Sequence, residues 1–545
     1  MTAAAVREKA SRLGPALLLA AAFALGGARS VPSRAVLAVL LTALAAALGR
    51  GFSEEAPPAP LLFFGWLGTA ALFSPDPAVS LPAFSGYALA GVLFYLAAAG
   101  PDGRSGWLAA VKLLGALSAA ALLLQRLAGF PLHGLVGANP NYSAVFCAAA
   151  FAPVFLEVSA GARFRVLAPR AALALLLAAG ILASGSRGAA LAAFFSGAAG
   201  LAYAGRWRWL AWFLAAAAGA AALLPSSVIA DLLKLGDPRA YARPRLWGAA
   251  LRAASSAPLL GLGPGRFGAA FELFKFPYFD GISYYGHSTP GAHGVLFDLA
   301  AEAGFPAALF FLAAAVPALA RGRKEELPLR LCALAVLLQG CVDMVFYSGA
   351  VLLLFWGSLG FASSGAAGPR WRRALPSAAA LLLTILTAAA LLGGTGGQAR
   401  YREEAASENM AGRDPALAAA VYARALLEEP FNALAAEGEG RALAAAGDLR
   451  AAEALLGRAV SLEPYFYGAR LELASVYAAE GRGGLACALL RAAPAAPAAA
   501  PRNEYQRRLL ERPADAGRTE NAICGKLKTG GATALRRDRP WKATK

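Results

Sequence analysis

The stretch from Tyr241 to Gly304, YARPRLWGAALRAASSAPLLGLGPGRFGAAFELFKFPYFDGISYYGHSTPGAHGVLFDLAAEAG, is the interval around which the rest of the chain is organised. On either side of it the sequence runs in long stretches of Ala, Leu, Val and Phe, whereas arginines, tyrosines, glycines and two of the three histidines gather here. Chemistry that needs polar side chains is expected in this interval.

The flanking composition sets the class. Of 545 residues, 58% are hydrophobic and only 15% charged, and the mean hydropathy is +0.53, values outside the range of soluble domains. The chain reads as a polytopic membrane protein. Its net charge of +18 fits Lys and Arg concentrated in cytoplasmic loops and at lipid headgroups. Nucleic acid is not an expected partner, because no basic and aromatic recognition module is present. Cys147, Cys332, Cys341, Cys487 and Cys524 fall singly without zinc-like spacing, so they read as structural thiols with no disulfide framework.

Working outward, the first apolar run, Gly14 to Gly27, follows a short basic leader with Arg7, Lys9 and Arg12 and reads as an uncleaved first span. The next runs are Val31 to Leu48, Leu61 to Phe73, Phe84 to Ala99, Trp107 to Leu127, Tyr142 to Val158, Leu167 to Ala183, Gly188 to Ala204 and Trp207 to Leu224. Beyond the organising stretch come His293 to Ala318, Leu327 to Phe346, Ala350 to Ala362 and Leu375 to Leu392. The predicted fold is all-α, with about 12 to 13 transmembrane helices, one large extracytoplasmic loop and a helical C-terminal domain.

Orientation follows from short-loop charges, since Lys and Arg stay on the cytoplasmic side. With the amino terminus inside, inner loops hold Arg50, Arg104, Arg163, Arg165, Arg170, Arg206, Arg208, Arg321, Arg323, Lys324, Arg370, Arg372 and Arg373, whereas the short outer loops keep Arg29, Arg34 and Arg187. The expected domains are therefore N-terminal transmembrane helices at 1–225, an extracytoplasmic catalytic loop at 226–292, C-terminal transmembrane helices at 293–395, helical repeats at 400–494 and a disordered basic tail at 495–545.

In the repeat region a period of 34 residues appears: Ala425 and Pro430 recur as Ala459 and Pro464, Ala418 as Ala452 and Ala486, and Gly447 as Gly481. This spacing matches the tetratricopeptide repeat, in which small residues let paired helices approach closely and a proline stops the second. Two full repeats and a degraded third make a short solenoid, so help from the membrane domain or a protein partner is expected. The tail after Pro494 is rich in Pro and Ala and then basic, without apolar periodicity.

Within the organising stretch each candidate has a plain reading beside the functional one. Arg187 stands in SGSRG at a membrane edge; alone it reads as a snorkelling arginine, yet a charge there is costly unless phosphate, carboxylate or water satisfies it. Arg243 and Arg245 in ARPRLWGAAL precede an amphipathic helix ending near Ser256. In PLLGLGPGRF the glycines read as tight-turn residues, because no strand precedes GLGPG and no lysine follows it. His293 comes just after Pro290 and Gly291 at a helix start, a position that suits a base and attracts phosphate. His287 is a rival base. Tyr284 and Tyr285 either stack on sugars or anchor at the interface, anchoring being the commoner use. His133, Asn139 and Asn141 read as turn residues. No acidic pair with metal-like spacing stands in the outer loops, so neither a divalent metal nor another cofactor is expected.

The order of GANPN, SGSRG, RPRLW, PLLGLGPGRF and AHGVLFDLAAEAGFPA, from Leu135 to Pro306, resembles the O-antigen ligase and polymerase family of bacterial membrane glycosyltransferases. The resemblance implies transfer of a glycan from a polyprenyl diphosphate carrier to a hydroxyl of a glycan, lipid or protein acceptor on the outer side of the inner membrane. It also implies that Arg187 and Arg245 hold the donor diphosphate, that His293 is the base, and that Glu302 matches the acidic residue of the following helix. Gly294 departs from the family, which commonly has Asn directly after the histidine. Two other readings compete: a transporter or flippase for a lipid-linked glycan, which needs broken helices or polar residues at mid-membrane beyond Gln339 and Asp343, and a membrane-tethered scaffold whose repeats recruit partners.

Overall fold

The computed structural model describes residues 3–48, 59–75, 77–137, 139–161, 163–223, 225–227, 243–274, 289–363, 413–428, 432–494, 509–514 and 516–528. These residues form helices and connections, with no strand among them. Two compact units are present, residues 1–267 with 290–395 and residues 268–289 with 396–545.

In the first unit the helices are α1 (Ala3–Ala24), α2 (Val31–Leu48), α3 (Ala59–Leu72), α4 (Pro77–Ala98), α5 (Arg104–Leu127), α6 (Pro140–Ser159), α7 (Phe164–Ser184), α8 (Arg187–Tyr203), α9 (Trp207–Leu223) and α10 (Arg243–Ser256). A short helix α11 (Phe267–Phe274) begins at the boundary of the unit; α12 (Val295–Ala320), α13 (Leu327–Gly340) and α14 (Gly349–Ala362) complete it. Helices dominate because a segment in lipid has to satisfy its own backbone polar groups. Six of the described helices are long and apolar enough to cross a membrane, as expected of a multi-pass membrane protein. The run Leu375 to Leu392 lies outside the described residues.

At the centre stands α14, buried along its whole length. Glycines set how closely it approaches its neighbours: a Cβ on Gly360 would lie 2.5 Å from the carbonyl oxygen of Phe94 on α4, and one on Gly357 would lie 2.5 Å from the Trp107 ring on α5. Trp356 of α14 meets Phe63, Phe64, Phe94, Phe311 and Phe355 at ring separations of 4.8–5.9 Å. Lipid tails are as apolar as these side chains, so dispersion contact rather than transfer from water holds the bundle together.

The connections sort to two ends. At one end Ser348 Oγ donates to the Gly27 carbonyl (2.9 Å), the Arg29 guanidinium lies 4.9 Å from the Tyr142 ring centroid, and Asn141 reaches Asp343. At the other, Arg104 pairs with Glu326 (2.8 Å) and donates to the Phe361 carbonyl, Arg330 stacks over Tyr203, and Arg206 bonds to Leu156 and Ser159 at the end of α6. This is the alternation that the apolar runs predict, with the His293 connection at the first end.

Two expected spans are interrupted. The run His293 to Ala318 is split within α12, where Ala303 and Gly304 (φ 79°, ψ 169°) are not helical. Glycine tolerates that conformation, and Pro306, lacking an N–H, could not have bonded the Glu302 carbonyl in any case. Four backbone groups released at the break find partners outside the helix. Leu262 N donates to Ala301 O (3.0 Å), Gly263 N to Glu302 O (2.8 Å), Phe305 N to Pro258 O (2.9 Å), and the Trp66 indole to Ala303 O (3.0 Å). The glycine-rich turn is thus the partner of the broken helix, and a Cβ on Gly261 would lie 2.3 Å from the Glu302 carbonyl carbon. The run Leu327 to Phe346 likewise stops at Gly340; residues 341–348 form a connection with a short 3-10 turn, Val345–Tyr347, and place Asp343 outside any helix.

In the second unit α15 (Pro415–Glu428), α16 (Ala433–Ala446), α17 (Leu449–Leu462), α18 (Tyr467–Ala479) and α19 (Gly483–Arg491) each pack on the next. Their starts at Pro415, Leu449 and Gly483, and at Ala433 and Tyr467, recur at the interval of the sequence repeat. Gly440 lets α16 approach α17, since a Cβ there would lie 2.7 Å from Leu456 Cγ. Two expectations are corrected here. Cys487 and Cys524 are joined in a disulfide with Cα atoms 5.2 Å apart, and a helix α20 (Ala516–Lys528) occupies part of the stretch read as a disordered tail. Ala516 and Ile523 of α20 are buried against Leu471 and Leu490, an apolar partnership too short and too isolated to show as periodicity in the sequence.

Candidate functional site

Four helices begin around Asp343, and side-chain caps explain the starts of two of them, α6 and α8. Asn139 caps α6 by accepting from Asn141 N (2.9 Å), with Pro140 at the first helical position. Gly185, in the left-handed region, ends α7, and Ser186 caps α8 by accepting from Ala189 N. These two caps deliver Asn141 and Arg187. The first turn of α10 delivers Arg243 and Arg245, and the connection before α12 delivers His293. Helix amino ends carry partial positive charge, so this convergence favours an anionic ligand.

His293 lies at φ 57°, a left-handed conformation costing a non-glycine residue roughly 1–2 kcal/mol. The surrounding contacts hold it there. Asp298, one turn into α12, accepts from Ala292 N (2.5 Å), and Asp298 N donates to the Gly294 carbonyl (2.9 Å). The departure at Gly294 has a steric basis: a Cβ would meet Phe297 at 3.0 Å, the Cys341 carbonyl oxygen at 3.1 Å and the Trp247 indole nitrogen at 3.2 Å. Trp247 of α10 and Phe297 of α12 stack at 5.0 Å directly beside this glycine.

The His293 ring turns Nδ1 inward, where it lies 3.5 Å from Asp343 Oδ1. That atom is buried and makes no hydrogen bond, so Asp343 acts on it as a near charge rather than as a bonded acceptor. The side chain keeps 27% of its surface accessible, on the remaining ring atoms. Asp343, 2% exposed, is held by Met344 N on Oδ1 (2.9 Å) and by Asn141 Nδ2 on Oδ2 (2.6 Å). Gln339 Nε2 in turn donates to the Asn141 carbonyl (3.1 Å).

Arg243 is half-buried; loss of water around it pushes its guanidinium below the usual range, the Asp343 charge counters this, and the like charge of Arg187 adds to it. These three charges therefore share one neighbourhood with His293. Arg245 is exposed on the first turn of the same helix. Glu302 is buried: its carboxylate accepts from Phe267 N (3.2 Å) and Tyr347 Oη (3.0 Å), which ties the glycine-rich turn to the Asp343 connection. His287, Tyr284 and Tyr285 lie outside the described residues. His133 is exposed, and its backbone N–H donates to Gln125 Oε1 in the connection between α5 and α6.

Sequence reading places Asp343 inside a span and Asn141 in a turn, and assigns neither to the site. The available signal was a carboxylate in an apolar run, a costly placement that marks function by default.

In comparison with known proteins, no curated protein matches the chain. Residues 172–312, which contain Arg187, Arg243, Arg245, His293 and Glu302, match the family model described as O-antigen ligase. Asn141 and Asp343 lie on either side of the matched segment. Over this segment the multi-pass membrane chain is similar to the O-antigen ligase family, a likeness that supports glycan transfer at a membrane.

Proposed function

We propose that the chain is a glycosyltransferase that moves a glycan from a polyprenyl diphosphate carrier to a hydroxyl acceptor on the outer side of the bacterial inner membrane. The observation that carries this reading is the approach of His293 Nδ1 to Asp343, with Arg187, Arg243 and helix amino ends nearby. Arg187, Arg243 and Arg245 hold the diphosphate, whose negative charge grows as the bond from the anomeric carbon to the phosphate oxygen breaks. Fixed guanidinium groups in a water-poor setting stabilise such charge strongly. α13 and α14, at 14 residues each, span about 21 Å, less than the ~30 Å hydrocarbon core, which favours a recessed site between them.

With Nδ1 turned to Asp343, the tautomer protonated at Nδ1 leaves the Nε2 lone pair for the acceptor. Nε2 takes the hydroxyl proton as the acceptor oxygen attacks the anomeric carbon, and the polyprenyl diphosphate departs in a single inverting displacement. The arginines supply the positive charge that a metal provides elsewhere, so the reaction is expected to run without a divalent metal. Glu302 contributes by holding the loops, and Tyr284, Tyr285 and His287 are placed by sequence in the same extracytoplasmic loop.

Sidedness rests on the arginine distribution and, independently, on the Cys487–Cys524 bridge, since disulfides persist in oxidising compartments. Both favour a second unit outside the cytoplasm, where its repeats, of tetratricopeptide type in spacing, would hold an acceptor or a protein partner. The broken α12 is the feature that favours a transporter. The carbonyls of Ala301, Glu302 and Ala303 and the Phe305 N–H are taken by the 258–263 turn and Trp66, however, which favours a structural break over a pathway lining. Mass spectrometry of surface glycans, glycolipids and glycoproteins in a deletion strain tests the reading: loss of one class of glycoconjugate, with its lipid-linked precursor accumulating, is expected. An unchanged profile would reject glycan transfer.

A further inference from the structure

Tyr347 lies outside the segment matched to the O-antigen ligase model, yet it joins the Asp343 turn to the His293 connection and to α12. It closes the short 3-10 turn that begins beside Asp343, with its N–H on the Met344 carbonyl (3.4 Å). Its ring fills the space beside Gly291, two residues before His293: a Cβ on Gly291 would lie 2.6 Å from Tyr347 Cε2 and 3.2 Å from Asp298 Oδ1. Its hydroxyl donates to Glu302 Oε1 at 3.0 Å, and Glu302 also accepts from Phe267 N. Beside the same Gly291 position stands Asp298, the residue that accepts from Ala292 N in the His293 connection.

His293 and Asp343 come from two separate connections, so their 3.5 Å approach requires something to set one connection against the other. We propose that Tyr347 is the positioning residue that does so: the ring seats Gly291, and the hydroxyl anchors the Asp343 turn to Glu302 on the broken helix. This rests on the reading of His293 as the base of glycan transfer. Tyr347 touches no substrate in this scheme. Its removal should cost turnover without costing binding, because the arginines that hold the donor stand on α8 and α10.

The test is a kinetic cycle on full-length protein reconstituted in liposomes. The donor is the lipid-linked glycan extracted from producing cells, and the acceptor is the one identified from the deletion strain. Tyr347→Phe keeps the ring and removes the hydroxyl. It is expected to lower kcat about tenfold, the scale of a sub-ångström misplacement of a base, with KM for the donor unchanged within about twofold. In an Asp343→Asn background the same change should have almost no further effect on kcat, since the interaction it positions is already gone. A wild-type kcat, a loss seen only in KM, or an equal tenfold loss in both backgrounds would each overturn the proposal. Should the phenylalanine variant not fold, Glu302→Leu removes the acceptor and cuts the same link from its other end, and has to give the same kcat-only loss; full activity overturns the proposal. A wild-type protein that transfers no glycan rejects the functional reading itself, and the role of Tyr347 falls with it.

Discussion

Asn141 donates its side-chain N–H to Oδ2 of Asp343 at 2.6 Å, across 202 residues of sequence, and this turns the other carboxylate oxygen toward His293. Asp343 is thereby fixed from both sides, by α6 and by its own backbone. Asp343→Asn preserves shape and removes charge, and it is expected to lower kcat about 100-fold or more while leaving donor affinity intact. Asn141→Ala should act in the same direction and more weakly, through a bond to a charged group worth about 1.5–3 kcal/mol. Steady-state kinetics with the native donor measures both; an unchanged kcat for Asp343→Asn would remove it from the mechanism.

His293→Ala should abolish transfer, on a scale of about 100- to 10,000-fold, and leave donor binding close to wild type, because a base acts only in the transition state. Donor binding is read by equilibrium titration and turnover by product formation. If His293→Ala stays active and His287→Ala does not, the base is His287.

Gly304 has φ 79° and ψ 169°, and a Cβ there would lie 2.0 Å from the Leu259 carbonyl oxygen. Both the backbone conformation and the contact with rigid main chain oppose any side chain. Gly304→Ala is expected to destabilise the membrane unit by about 2 kcal/mol or more, seen as a lower Tm in detergent and as weaker accumulation in the membrane. An alanine variant that melts with the wild type would mean that the break can move.

Chelation offers a separate check on the charge-stabilising groups. EDTA is expected to leave transfer unchanged, whereas Arg243→Gln and Arg187→Gln should raise donor KM and lower kcat together, since a guanidinium that binds diphosphate stabilises the departing group even more. Activity lost on chelation and restored by magnesium or manganese would assign that role to a metal.

Topology is tested by reporters fused after Arg413, where alkaline phosphatase should be active and a cytoplasm-dependent fluorescent protein dark. In intact cells Cys487 and Cys524 should react with a maleimide reagent only after reduction, as expected for a bridge formed in an oxidising compartment. The reverse fusion pattern would put the repeats in the cytoplasm and end their proposed part beside the acceptor.

The apolar runs by themselves determined the membrane class, the helix positions and their alternation between two ends, because a segment in lipid has little choice but to be a helix of a given length. The helix starts at 34-residue intervals were equally legible, since small residues mark close packing wherever they recur. His293, Arg187 and the arginines of α10 stood out as polar groups in an apolar chain. Only the tertiary structure decided what they face. Asp343 and Asn141 became site residues because two connections far apart in sequence close over each other, and Glu302 became a buried anchor because α12 breaks at Gly304 and takes the 258–263 turn as its backbone partner. The Cys487–Cys524 bridge was hidden for the same reason: a pairing set by the packing of α20 on α19 leaves no trace in local spacing. Periodicity records which way each helix faces, whereas the meeting of loops depends on hydrogen-bond partners that the chain supplies only once it is folded.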